Sequence, residues 1–132
     1  MTTVVFYVEA GIAPVLHWLE ELKETNKKAY AQCVVRIEQL AAFGHELRRP
    51  AADFLREGIY ELRAKKGHVQ YRILYFFHGR NMAILAHAII KEGSAVPDID
   101  IDRAIGRMRA YVRDPKKHTI EKVIDDDKEE IH

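Results

Sequence analysis

The sequence has one cysteine, Cys33, so no intrachain disulfide framework can staple the fold, and a lone thiol fits a reducing compartment. It has no apolar run of membrane-spanning length, and its opening MTTVVFYVEAG lacks the layout of a signal peptide. Both absences lead to an expectation of a cytoplasmic protein with no membrane partner. Familiar site chemistries are missing as well. There is no His-Glu-x-x-His pair or Cys/His ladder for a metal, and no Gly-rich phosphate loop, nucleophile elbow or dinucleotide fingerprint. Asp98, Asp100 and Asp102 alternate like the start of a calcium loop, but Arg103 stands where glycine is needed and Arg109 where glutamate is needed. No metal and no cofactor is therefore expected. Internal repeats are absent too.

What is present is enough for one ordinary domain: 132 residues, 48 % of them hydrophobic. The formal net charge of +1 hides an asymmetry. Residues 1–120 hold 19 Lys/Arg and 14 Asp/Glu, whereas residues 121–132 hold 2 and 6. Between 48 and 91 there are 9 basic residues against 3 acidic. Such a basic stretch fits a polyanionic ligand, and equally an ordinary solvated surface.

Val4 to Val8 reads as a short strand, broken by Gly11 and Pro14, which start a helix. Val15, Trp18, Leu19 and Leu22 fall on one stripe of that helix. A second helix follows Thr25-Asn26, either of which can cap it, with Tyr30, Cys33, Val34, Ile37, Leu40 and Ala41 as its stripe and Gly44 as its stop. Cys33 thus reads as core. The two helices form a hairpin able to cover one face of a sheet. Residues 45–58 read as a connection with a short turn of helix. A third helix, capped by Asp98 or Asp100, places Ile101, Ala104, Ile105, Met108 and Val112 on its apolar face and ends at Pro115.

The most informative stretch is Ile59 to Lys91, where Lys66-Gly67 and Gly79-Arg80 divide three strand-like segments into a meander. With a two-residue loop at each turn, Glu61 pairs with Arg72, Arg63 with Gln70, Arg72 with His87, and His68 with Lys91. One face then carries Glu61, Arg63, His68, Gln70, Arg72, His87 and Lys91. The other carries Tyr60, Leu62, Val69, Tyr71, Ile73, Tyr75, Phe77, Met82, Ile84, Ala86, Ala88 and Ile90. A three-residue loop would flip one strand and scatter the polar cluster.

The order of these elements, with Tyr60-Glu61-Leu62-Arg63, Arg72-Ile73-Leu74-Tyr75, Ala86-His87-Ala88-Ile89-Ile90-Lys91, and Pro97 leading into Ile101-Asp102-Arg103-Ala104, resembles the RelE/HigB-type toxins of type II toxin–antitoxin systems, in particular the phage-derived HigB-like branch. The resemblance implies an α+β fold: a small twisted antiparallel sheet covered on one face by an N-terminal helical hairpin, with a C-terminal helix. The toxin domain is expected over residues 1–115, of which the resemblance covers about 4–113, and the charged tail over residues 116–132, an addition to the family pattern, reads as mobile or weakly helical. The resemblance also implies a metal-independent endoribonuclease that cuts mRNA in the ribosomal decoding site and is neutralised by a cognate helix-turn-helix antitoxin. Where the branch often carries an aromatic residue two positions before a Lys-Lys pair, this chain has Ile89, Lys91 and Glu92.

Under that resemblance Arg72 is expected to hold phosphate and stabilise the transition state, its planar fork matching phosphate oxygens. Its other possible role is an ion pair with Glu61. His87 is a candidate acid or base, or simply a hydrogen-bonding residue at the sheet's edge. Lys91 is a phosphate contact or a proton donor, Glu61 an orienting group or a base. Arg63, Lys65, Lys66, His68 and Gln70 are expected RNA contacts. Two other classes stay open: a ParE-like gyrase-inhibiting toxin without nuclease activity, and a degenerate module that only binds RNA or a partner. Residues 125–130 can also be read as an internal RNA mimic that folds over the basic face.

Overall fold

The computed structural model describes residues 1–91, 93 and 95–120. Strand β1 (Thr3–Tyr7) is followed by helices α1 (Pro14–Thr25) and α2 (Lys27–Phe43), and then by a 3₁₀ turn at Gly44–Glu46. Strands β2 (Ala52–Arg56), β3 (Ile59–Lys66), β4 (Val69–His78) and β5 (Met82–Lys91) come next, before helix α3 (Asp98–Arg113), a second 3₁₀ turn and strand β6 (Thr119–Ile120). Among the described residues the sheet has six strands in the order β2-β3-β4-β5-β1-β6.

This sheet is mixed, which corrects the expectation of a purely antiparallel one. β1 runs parallel to β5, Val4 opposite Ala83 and Phe6 opposite Leu85. Two helices separate β1 from the meander, so its apolar residues reach the sheet by a long crossover and not through a hairpin. The expected tail from residue 116 is also corrected at its start: the 3₁₀ turn at Lys116–His118 leads into β6, which pairs with β1 through Phe6–Ile120 and Tyr7–Thr119. The acidic segment 121–132, with the RNA-mimic reading attached to it, lies outside the described residues.

The helical hairpin covers one face as expected. Val15, Leu19, Leu22, Tyr30, Cys33, Ile37 and Leu40 pack against Leu62, Tyr71, Ile73 and Tyr75. Asn26 caps α2, its side-chain oxygen accepting from Ala29 N at 3.1 Å. Burial pushes the Cys33 thiol up to about 12, which keeps it a packed thiol and not a nucleophile.

The opposite face divides in two. Its apolar half, with Ile59, Leu74, Phe76 and Ile84, is covered by Ile101, Ala104, Ile105 and Tyr111 of α3. The other half is polar and open to a cleft. In α3 the N-cap is Pro97, with no side-chain cap bond; Asp98 and Asp100 instead occupy the first turn, where their charge complements the helix dipole. Val112, expected in the apolar stripe, is 59 % exposed, and Tyr111 takes the buried position. Among the described residues, no helix is long and apolar enough to cross a membrane.

Candidate active site

The register of the meander decides which side chains meet. In the first hairpin the loop is Gly67-His68, with Gly67 at φ 64°, so Arg63 stands opposite Arg72 and Lys65 opposite Gln70. The expected pairing was therefore off by two positions. Because faces alternate with period two, a slip of two leaves every side chain on its expected face. His68 is the exception: it sits exposed in the turn and not on the strand face.

The second hairpin has the three-residue loop that should have scattered the cluster, since His78 pairs with Met82. A β-bulge undoes the flip. Tyr75 pairs with Leu85 but Leu74 pairs with His87, which leaves Ala86 as the extra residue. Beyond the bulge, Arg72 faces Ile89 where His87 was expected, and Lys91 faces Gln70 where His68 was expected. On the turn side, Met82 and Ile84 contribute to the α3 core, and so does the bulged Ala86. All three belong to the face opposite the one expected.

The polar half of that face is a compact ion cluster. Glu61 accepts from Arg63 Nη1 at 2.7 Å and lies 3.0 Å from Arg72 Nε, a contact with the distance of an ion pair but not the alignment of a hydrogen bond. Arg72 also donates to the side-chain oxygen of Gln70 and, at 3.3 Å, to the Tyr71 carbonyl. Glu61, Arg72 and Lys91 are all buried, at 3 %, 2 % and 9 % exposure. Burial lowers the Arg72 pKa, with Glu61 opposing the shift. Lys91 Nζ donates to the Gly93 carbonyl at 2.6 Å, and its pKa is lowered first by burial and then by the neighbouring Arg72 charge.

A cleft of about 550 Å³ opens beside this cluster, lined by its Arg63, Gln70 and Arg72 together with Arg36, Arg49, Pro50 and Lys65, while Glu61 and Lys91 are not in its lining. Its position follows from strand lengths. β2 begins opposite Leu62, and Arg63 N reaches Ala51 O at 2.8 Å. Past that point the outer edge of β3 is flanked by other residues, with Arg36 Nε of α2 donating to the Arg63 carbonyl at 2.7 Å. Arg63 retains a partly exposed guanidinium, its side chain 27 % accessible, and Lys65 is exposed. Lys66 is exposed on the hairpin but does not line the cleft.

His87 belongs to a separate group. Its Nε2 lies 2.7 Å from Asp100 Oδ1 and its Nδ1 lies 3.2 Å from Arg107 Nη1, which also donates to the Ala86 carbonyl at 2.7 Å. Since arginine only donates, Nδ1 accepts and Nε2 carries the proton. Burial lowers the His87 pKa, Asp100 opposes the shift and Arg107 adds to it. A neutral imidazole with both nitrogens engaged is a pin between the bulge and α3.

The expected residues Glu61, Arg63, Gln70, Arg72 and Lys91 thus gather at one end of the face, Lys65 borders them, and His87 and His68 stand apart. Sequence reasoning missed Arg36 and Arg49 of the cleft, and Asp100 and Arg107 around His87. The second pair had a helical signal: Asp100, Ala104, Arg107 and Tyr111 share one face of α3. Arg36 and Arg49 reach the cleft through tertiary packing that spacing does not encode. Among the described residues, no group of three or more His, Cys, Asp or Glu side chains is arranged to hold a metal ion.

No curated protein matches the chain. Residues 20–109, from α1 to within α3 and including the whole cluster, match the family described as "Phage derived protein Gp49-like (DUF891)". That span is well over half of the chain, which therefore belongs to the phage-derived Gp49-like proteins, a RelE/toxin-like family.

Proposed function

We propose that this chain is the toxin of a toxin–antitoxin pair and acts as a metal-independent, ribosome-dependent endoribonuclease on mRNA, of the HigB type, held in check by a helix-turn-helix antitoxin. The observation that carries the reading is the open cationic cleft lined by Arg36, Arg49, Arg63, Lys65 and Arg72, with Glu61 and Lys91 buried beside Arg72. Metal-free RNA cleavage uses the ribose 2′-hydroxyl as an internal nucleophile on the adjacent phosphorus, and breaks the bond to the 5′ oxygen. The 2′-hydroxyl gives up its proton to solvent in the open cleft, cations meet the charge that develops on phosphate, and the leaving oxygen takes a proton from an acid.

Arg63 and Lys65, with hydrogen-bonding capacity facing the cleft, hold the phosphate. Arg72 supplies fixed positive charge from below: its guanidinium is occupied by Glu61, Gln70 and Tyr71, so it acts as a preorganised electrostatic group and not as a free fork. Glu61 orients both arginines. Lys91, with its lowered pKa, protonates the leaving oxygen. His87 holds α3 to the bulge and takes no part in proton transfer.

The test is induction of the wild type and of Arg63→Ala in a bacterial host, with transcript 5′ ends mapped for codon periodicity. Growth arrest with in-frame cuts, both lost in the variant, is the expected result. Arrest with intact transcripts and DNA damage overturns the reading in favour of a gyrase poison.

A further inference from the structure

We propose that a second depression, next to the cationic cleft, is a stacking site for a base of single-stranded RNA, with Phe54 as its platform. The inference rests on the reading of the cleft as an RNA site and extends it to the base. The depression measures about 280 Å³ and is lined by Leu47, Arg48, Asp53, Phe54 and Tyr60.

Phe54 is 52 % exposed although it lies on a strand. Its ring is held edge-to-face against Tyr60, with centroids 5.1 Å apart and planes at 70°. Tyr60 in turn stacks on Tyr75 at 5.5 Å and meets Phe77 edge-on at 5.3 Å. The exposed ring is therefore braced by a packed aromatic group, and a ligand gains a flat apolar face without having to order it.

The charges beside this ring favour a nucleotide. Arg48 lines the depression and donates to two neutral acceptors, the carbonyls of His45 at 2.6 Å and Leu47 at 3.1 Å, so those bonds leave its positive charge uncompensated. Asp53, the acidic residue of the lining, is matched by Arg49, whose Nε and Nη2 lie 2.9 and 2.8 Å from its Oδ2.

Continuity of the chain links the two sites. Arg48 lines the depression, and the next two residues, Arg49 and Pro50, line the cleft. Phe54 and Tyr60 stand on the hairpin face of the sheet and Arg63 and Arg72 on the other, so a strand held at Arg63 and Lys65 reaches Phe54 by passing over the sheet edge at Arg48 and Arg49. Stacking tolerates any base, so the site adds affinity and register without reading sequence.

The experiment uses the full chain at low salt with a single-stranded RNA backbone of about ten nucleotides that is abasic except for one 2-aminopurine, whose fluorescence is quenched on stacking, and the same backbone fully abasic. The expected result is quenching by the wild type and by Phe54→Tyr, loss of quenching with about 5- to 150-fold weaker binding in Phe54→Ala, and no effect of Phe54→Ala on the abasic RNA. Unchanged quenching and affinity in Phe54→Ala overturn the stacking site and leave the ring to a protein partner. If Arg63→Ala weakens both RNAs in that case, the cleft reading stands without it. Binding of neither RNA by the wild type also overturns the inference, while the transcript-mapping result decides the cleft reading independently.

Discussion

Arg72 Nε stands 3.0 Å from Glu61 Oε1, between side chains that are 3 % and 4 % exposed. Two charges removed from water this completely depend on each other, because deleting one leaves the other buried and unpaired. Arg72→Ala is expected to lower the unfolding free energy by about 3–5 kcal/mol, a large part of the stability of a domain this size. Arg63→Ala, with a side chain 27 % exposed, should cost about 1 kcal/mol or less. Urea denaturation of both variants checks this, and equal losses would contradict it. Arg63 is therefore the variant that separates loss of activity from loss of fold.

Lys91 should impose a pH limb on cleavage. A proton donor works only while protonated, and burial beside Arg72 lowers its pKa below that of an ordinary lysine. The rate should fall as pH rises through that lowered value. Lys91→Met should lose about 10²–10⁴-fold in rate and the limb with it. A Lys91→Met variant that keeps the wild-type profile would remove the lysine from proton transfer.

His87 should make stability pH-dependent in the opposite direction. Its folded pKa lies below the unfolded value of about 6.5, so folding favours the neutral ring. Its contribution is complete above about pH 6.5 and is lost as pH falls from there toward the lowered folded value. Protonation would place an imidazolium against the Arg107 guanidinium, 3.2 Å away, and weaken the attachment of α3. Melting temperatures of wild type and His87→Gln at about pH 7.5 and 5.5 test the sign. The wild type should lose more on acidification, and equal losses would show that the pin does not titrate.

The face composition was largely legible in the sequence, because period-two alternation survives a register slip of two at the first turn. The second turn was not legible. Its three-residue loop flips the strand and the bulge at Ala86 flips it back, and nothing in Ala-His-Ala announces a bulge. The role of α3 left a trace, since Leu74 and Phe76 share the parity of Arg72 and are too apolar to face solvent. β2 left less of one: its five residues carry an aspartate and an arginine, and it forms because β3 offers an edge. The cleft depends on that short strand, whose late start admits Arg36 and Arg49, and such tertiary placement lies outside what local pattern encodes.

The most direct test of the central claim is cleavage of a short mRNA by purified protein, with the RNA either free or placed on a programmed ribosome with an empty decoding site. The account predicts cuts at the decoding site only in the ribosome-bound RNA, abolished by Arg63→Ala in a protein that still folds. No cleavage by the wild type, or cleavage that Arg63→Ala leaves unchanged, would contradict it.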